Sequence, residues 1–196
     1  MKKFQLLALM AAVCMGTLPI MAQSEDEEPD AKVSKKEAVE LPAVPAALQK
    51  AKLVVPAKIN TNAKLYFLYK SRSTCAICVA AAPQIIKIQK SMRGKGAELV
   101  MLNIDEDVKT AAKWAKQAKM KFPIVAPEDE AALPFPYVVE TQSQTTLPLM
   151  VVVDAEGRRI DQANGADVPE FLKNWKKMLK AYEKGELGPA DESEVE

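Results

Sequence analysis

Two cysteines three residues apart, Cys75 and Cys78 in the stretch STCAICVAAAP, stand at the seam between two different hydrophobic patterns. Ahead of them, KLYFLY from Lys64 is a dense apolar and aromatic run of strand length. Behind them, Cys78, Ala82, Ile85, Ile88 and Met92 recur at spacings of three and four, one stripe of a helix that Gly94 and Gly96 stop. A strand that turns directly into a helix puts Cys75 at the helix N-terminus and Cys78 in its first turn. Unsatisfied N–H groups and the positive end of the helix dipole favour a thiolate there. Two intervening residues set the sulfurs one helical turn apart, close enough to bridge. By position Cys75 is the accessible thiol and Cys78, on the apolar stripe, the buried one.

The rest of the chain continues the alternation. ELVMLNI (Glu98–Ile104) reads as a second buried strand. Val108, Ala111, Ala115, Ala118 and Phe122 predict a second amphipathic helix ending before Pro123, with Lys109, Lys113 and Lys116 as its solvated face. FPIV is a short strand, whereas Ala126 to Thr146 is proline-interrupted and gives no clear pattern. LPLMVVVD is a strand whose second residue is proline, DAEG is a turn, and RRIDQAN is the returning strand. Asp167 is the expected cap of a last helix whose inner face holds Val168, Phe171, Leu172, Trp175, Leu179 and Tyr182. Strands alternating with helices imply a parallel sheet, and the late hairpin adds an antiparallel edge. The expected class is α/β, with a mixed central sheet flanked by helices on both faces.

The ends carry different signals. Lys2 and Lys3 precede an apolar run from Phe4 to Met15, and Ala22 precedes a plausible cut before Gln23, so residues 1–22 are expected to be a signal peptide. A lipid anchor on Cys14 is disfavoured by the Ala-Ala-Val that precedes it. Residues 23–50, charged, proline-broken and without an aromatic residue, are expected to form a disordered linker, within which Ala46 to Leu53 could start a short helix. Residues 51–184 are the expected domain and 185–196 an acidic tail. Export would place the chain in a periplasmic or extracellular setting and remove Cys14, leaving Cys75 and Cys78 alone in an oxidising compartment.

Composition excludes several chemistries. With no histidine in the chain, Ser-His-Asp and Cys-His nucleophilic sites and His-ligated metals are impossible. Two thiolates supply only half of a tetrahedral zinc shell, so no metal is expected. The 27 basic and 26 acidic residues nearly cancel and leave no electrostatic footprint for nucleic acid. As a staple the pair would be weak: so short a loop gains about 2 kcal/mol in the chain-entropy model.

These residues together resemble the thioredoxin superfamily, and its exported TlpA-like branch in particular. The resemblance runs from about Lys64 to Tyr182. It rests on Cys75-Ala-Ile-Cys78 after a strand, Pro83 five residues past the second cysteine, Leu147-Pro148 opening a strand, and the segments NIDED, FPIV and VVVDAEGRRI. It implies a thioredoxin fold in which Cys75 attacks a partner's disulfide and Cys78 resolves the mixed disulfide. It also implies a cis-proline at Pro148 beside the cysteines, and pairing of the Leu147 backbone with an extended substrate segment. Two positions depart from the pattern. Thr74 replaces the usual tryptophan in the docking surface, and no acid occupies KLYFLYK or position 81, where relatives keep a proton relay for the resolving thiol.

The function implied is thiol–disulfide exchange with exported protein partners, recharged by an unidentified redox partner. It needs no cofactor beyond the Cys75–Cys78 disulfide. The alternative is a binding or scaffold module of the same fold with that disulfide permanently closed. A thiol peroxidase is a weaker third reading, since its nucleophile normally sits outside a C-x-x-C pair. A buried Cys75 or a trans Leu147–Pro148 bond would favour the scaffold.

Overall fold

Seven consecutive residues, Leu65–Ser71, are buried without interruption, which a strand achieves only when both faces of its sheet are covered. The computed structural model describes residues 44–130, 133 and 146–189. The strand is β2, the second of six: β1 (Leu53–Val55), β3 (Ala97–Asn103), β4 (Ile124–Val125), β5 (Leu149–Asp154) and β6 (Arg159–Asn164) complete the sheet. Their order is β1-β4-β3-β2-β5-β6. β2, β3 and β4 run parallel, with Leu65 opposite Ala97 and Ser71 opposite Asn103. β5 and β6 add the antiparallel edge the hairpin predicts, with Tyr69 opposite Met150. The sheet is therefore mixed, as expected. β1 forms a further antiparallel edge beside β4. Its three residues carry too little alternation to announce a strand in the sequence.

The period of two divides β2 between two cores. Leu65, Phe67 and Tyr69 join one buried cluster, Tyr66 and Leu68 the other. Each of these large apolar side chains contributes about 1.5–3 kcal/mol by leaving water. The first cluster is covered by α2 (Ala76–Met92), α3 (Val108–Gln117), α5 (Val168–Lys173) and α6 (Trp175–Glu183), through Ile85, Trp114, Leu172, Trp175 and Leu179 among others. Two successive right-handed crossovers that move the same way across the sheet put α2 and α3 on one side of it. The opposite face is covered by α1 (Val44–Lys50), by Ile59 and Ala63, and by Leu133 after the short α4 (Pro127–Glu130).

Four local expectations need correction. The linker does not extend to residue 50, since Val44, Ala47 and Leu48 are buried in α1 and the ordered domain begins at least by Val44. α3 stops at Gln117, so Phe122 reaches the core from the approach to β4 and not from a helix; Trp114 fills the α3 stripe instead. Asp167 makes no side-chain cap: a 3₁₀ turn, Gly165–Asp167, leads straight into α5. The last helix is broken at Asn174, whose amide bonds to the Phe171 carbonyl at 3.0 Å in a 3₁₀ pattern and so ends the α ladder. α2, by contrast, runs through the exposed Pro83, which only removes an amide from its outer side.

The expected signal peptide, the linker up to residue 43, most of 131–145 and the tail from residue 190 lie outside the described residues. No helix among the described residues is long and apolar enough to cross a membrane.

Candidate active site

β2 ends at Ser71, whose carbonyl accepts from the Ile104 amide at 3.1 Å just past the end of β3. The chain then turns through Arg72–Thr74 into α2. Asp105, buried among these residues, fixes that turn: one carboxylate oxygen accepts from the Ser73 amide at 2.8 Å and the Ser73 hydroxyl at 2.7 Å. Its other oxygen accepts from Asn103 Nδ2 at 2.9 Å, and its own amide donates to Asn103 Oδ1. The turn closes with the Cys75 amide on the Arg72 carbonyl at 3.3 Å.

Cys75 is the N-cap of α2, in extended conformation, and its sulfur accepts from the Cys78 amide at 3.3 Å. It occupies the place where a Ser or Asp oxygen would ordinarily satisfy an unpaired helix amide. A negative sulfur there gains from that amide and from the helix dipole, and no acidic side chain stands in the first turn to oppose it. Cys75 is partly exposed, whereas Cys78, one turn on, is fully buried. Both are free thiols in this structure. Burial pushes the Cys78 thiol up to about 11, with the Cys75 hydrogen bond acting the same way; the Ser71 hydroxyl and the backbone at Arg72 pull against it.

The loop before β5 arrives over the same spot. The Leu147–Pro148 peptide bond is cis, and the Leu147 carbonyl lies 3.9 Å from Cys75 Sγ. The next turn holds it from behind: the Gly165 amide donates to the Pro148 carbonyl at 2.7 Å. Thr74 is exposed beside Cys75, and Ile77 and Val79 on the outer side of α2 are each 45% exposed. The structure thus brings Thr74, Cys75, Cys78, Leu147 and Pro148 together.

A model of the AhpC/TSA family matches residues 38–160, a stretch that contains both cysteines, the Asp105 turn and Pro148. The chain belongs to the AhpC/TSA family. That family is part of the thioredoxin superfamily, and the chain's relatives accord with the TlpA-like branch. The thiol-disulfide oxidoreductase ResA of Bacillus thuringiensis subsp. konkukian is 23% identical over 105 residues, which are 54% of this chain and 57% of ResA. The chain thus spans little more than half the length of that curated relative. Among solved structures, MTB dsbF superposes with a TM-score of 0.50 at 18% identity, covering 71% of this chain and 98% of that one. A thiol:disulfide interchange protein from Bacteroides sp. gives 0.50 at 17% identity, covering 64% and 79%. At such identities these two speak for the fold alone.

Two residues of this AhpC/TSA member lie elsewhere than the sequence suggests, or went unseen. Lys70, which stands close enough in sequence to act on the thiols, points to the other side of the sheet and pairs with buried Glu130 at 2.8 Å. Asp105 lies within the segment NIDED. It is the first of three consecutive acids just past an apolar strand, so nothing local singles it out, and its partner Ser73 lies 32 residues away.

Proposed function

We propose that this chain carries out thiol–disulfide exchange through Cys75 and Cys78. The Cys75 thiolate attacks a partner's disulfide, forming a mixed disulfide and releasing one partner thiolate. Cys78 then attacks Cys75 Sγ, the intermolecular bond breaks, and the second partner thiol departs. The products are an oxidised Cys75–Cys78 pair and a reduced partner; run backwards, the same steps oxidise one. Two electrons move and none needs a further cofactor. Leu147 and Pro148 line the position of the attacked bond, where the Leu147 backbone can pair with an extended segment, and Thr74 borders it.

The observation that carries this reading is the asymmetry of the pair: an accessible sulfur on a helix N-terminus, backed one turn later by a buried one. A permanently closed structural bond has no use for an accessible attacking sulfur on a helix N-terminus. The ResA match supports the same chemistry. We further propose that residues 1–22 direct export, that partners are exported proteins, and that a separate redox protein recharges the pair.

Trapping tests the exchange. With a disulfide-linked peptide, the Cys78→Ala protein should accumulate a mixed disulfide at Cys75, visible as a mass increase, while Cys75→Ser should accumulate none. Equal failure of both variants to form an adduct would remove the exchange reading. Export is tested apart, by the N-terminal mass of the protein recovered from producing cells, which should begin at Gln23.

A further inference from the structure

Before Cys78 can attack, it must lose a proton that its burial helps retain, and no carboxylate among the described residues acts on it. Position 81, one helical turn further, is a buried alanine. Two hydroxyls stand in that region instead. Tyr69 and Ser71 are the last residues that β2 turns toward the α2 side, both are fully buried, and neither Tyr69 Oη nor Ser71 Oγ has a hydrogen-bond partner among the described residues. Buried hydroxyls are rarely left so, and an orphaned one needs an explanation. The titratable groups that face Cys78 are Cys75 and Tyr69; the other influences are Ser71 and the backbone at Arg72.

We propose that Ser71 Oγ, backed by Tyr69 Oη, donates a hydrogen bond to Cys78 Sγ as its thiolate forms, so that hydroxyls support the resolving step where a carboxylate is missing. The inference rests on the exchange reading above. A hydroxyl is no base at neutral pH, so it stabilises the anion without taking the proton. That proton passes to solvent, and the departing partner thiolate takes one up, so the step balances. Ser71 acts in the required direction on Cys78 and likewise on Tyr69, which links the three groups. An anion gains more from such a bond than a neutral thiol does, which is why idle hydroxyls in the dithiol state are consistent with this use.

The test titrates Cys78 by NMR of isotope-labelled cysteine, in the full chain carrying Cys75→Ser. Adding Ser71→Ala should raise the Cys78 midpoint by about one pH unit, the worth of one hydrogen bond to a charged group. Ser71→Thr, which keeps the hydroxyl, should restore it. Tyr69→Phe should shift it upward by less, and reads the same effect should Ser71→Ala not fold. An unchanged midpoint in Ser71→Ala, or equal shifts in Ala and Thr, would overturn the proposal. The exchange reading fails separately: the native pair would then not interconvert in glutathione buffers, whatever Cys78 does in this titration.

Discussion

Ser73 gives both its amide and its hydroxyl to one oxygen of Asp105, at 2.8 and 2.7 Å, across 32 residues of chain. The contact ties the turn before Cys75 to the loop that follows β3, so the sulfur's position depends on a residue just past the neighbouring strand. Removing the carboxylate leaves a buried amide and the Asn103 side chain unsatisfied. Asp105→Ala should therefore cost about 2–3 kcal/mol of stability, read from denaturant unfolding. Asp105→Asn, which keeps one acceptor for Ser73, should cost less.

The Cys78 thiol makes the reduced protein sensitive to alkali. Its folded value, about 11, lies above the ordinary 9.0, chiefly through burial. The folded state thus holds this proton where the unfolded chain releases it. The resulting stability is fully present below pH 9 and is lost as pH rises toward 11. Tyr66, raised to about 12 by burial, acts in the same direction at higher pH, so the comparison must be with Cys78→Ala. Between pH 8.5 and 11 the denaturation midpoint of the reduced wild type should fall more steeply than that of the variant.

On the far side of the sheet, Lys70 and Glu130 form a buried ion pair at 2.8 Å that pins α4 to β2. Losing Lys70 takes the cation away from the buried Glu130 carboxylate. Lys70→Met alone should destabilise the fold by about 3 kcal/mol, whereas Lys70→Met with Glu130→Leu should recover most of that loss. A double-mutant cycle checks the coupling.

Gly165 supports the loop that carries Pro148 and sits at φ +59°, a region side chains seldom adopt. An added Cβ would meet Thr146 Cγ2 at 3.3 Å. Gly165→Ala should cost about 1–2 kcal/mol from the backbone alone.

What could be read from the sequence follows the reach of each interaction. The stripe Cys78, Ala82, Ile85, Ile88 and Met92 is set by helical period, a local property, and all five are buried in α2. The unbroken run Leu65–Tyr69 announced a strand covered on both sides for the same reason. The break at Asn174 left no mark, because the apolar spacing continues through Trp175 and Leu179 across it. α1 hid in a charged and proline-rich context, where only its burial against Ile59 and β5 separates it from linker. Asp105 and the Tyr69–Ser71 hydroxyls depend on which strand lies beside which, and no spacing in a single chain encodes that.

The most direct test of the account is the Cys75–Cys78 equilibrium in graded glutathione buffers, with thiols trapped by alkylation and counted by mass. The account predicts a reversible transition with a midpoint between about −270 and −120 mV, the span of working C-x-x-C proteins. A bond that stays closed below about −300 mV would mark the pair as structural and contradict it.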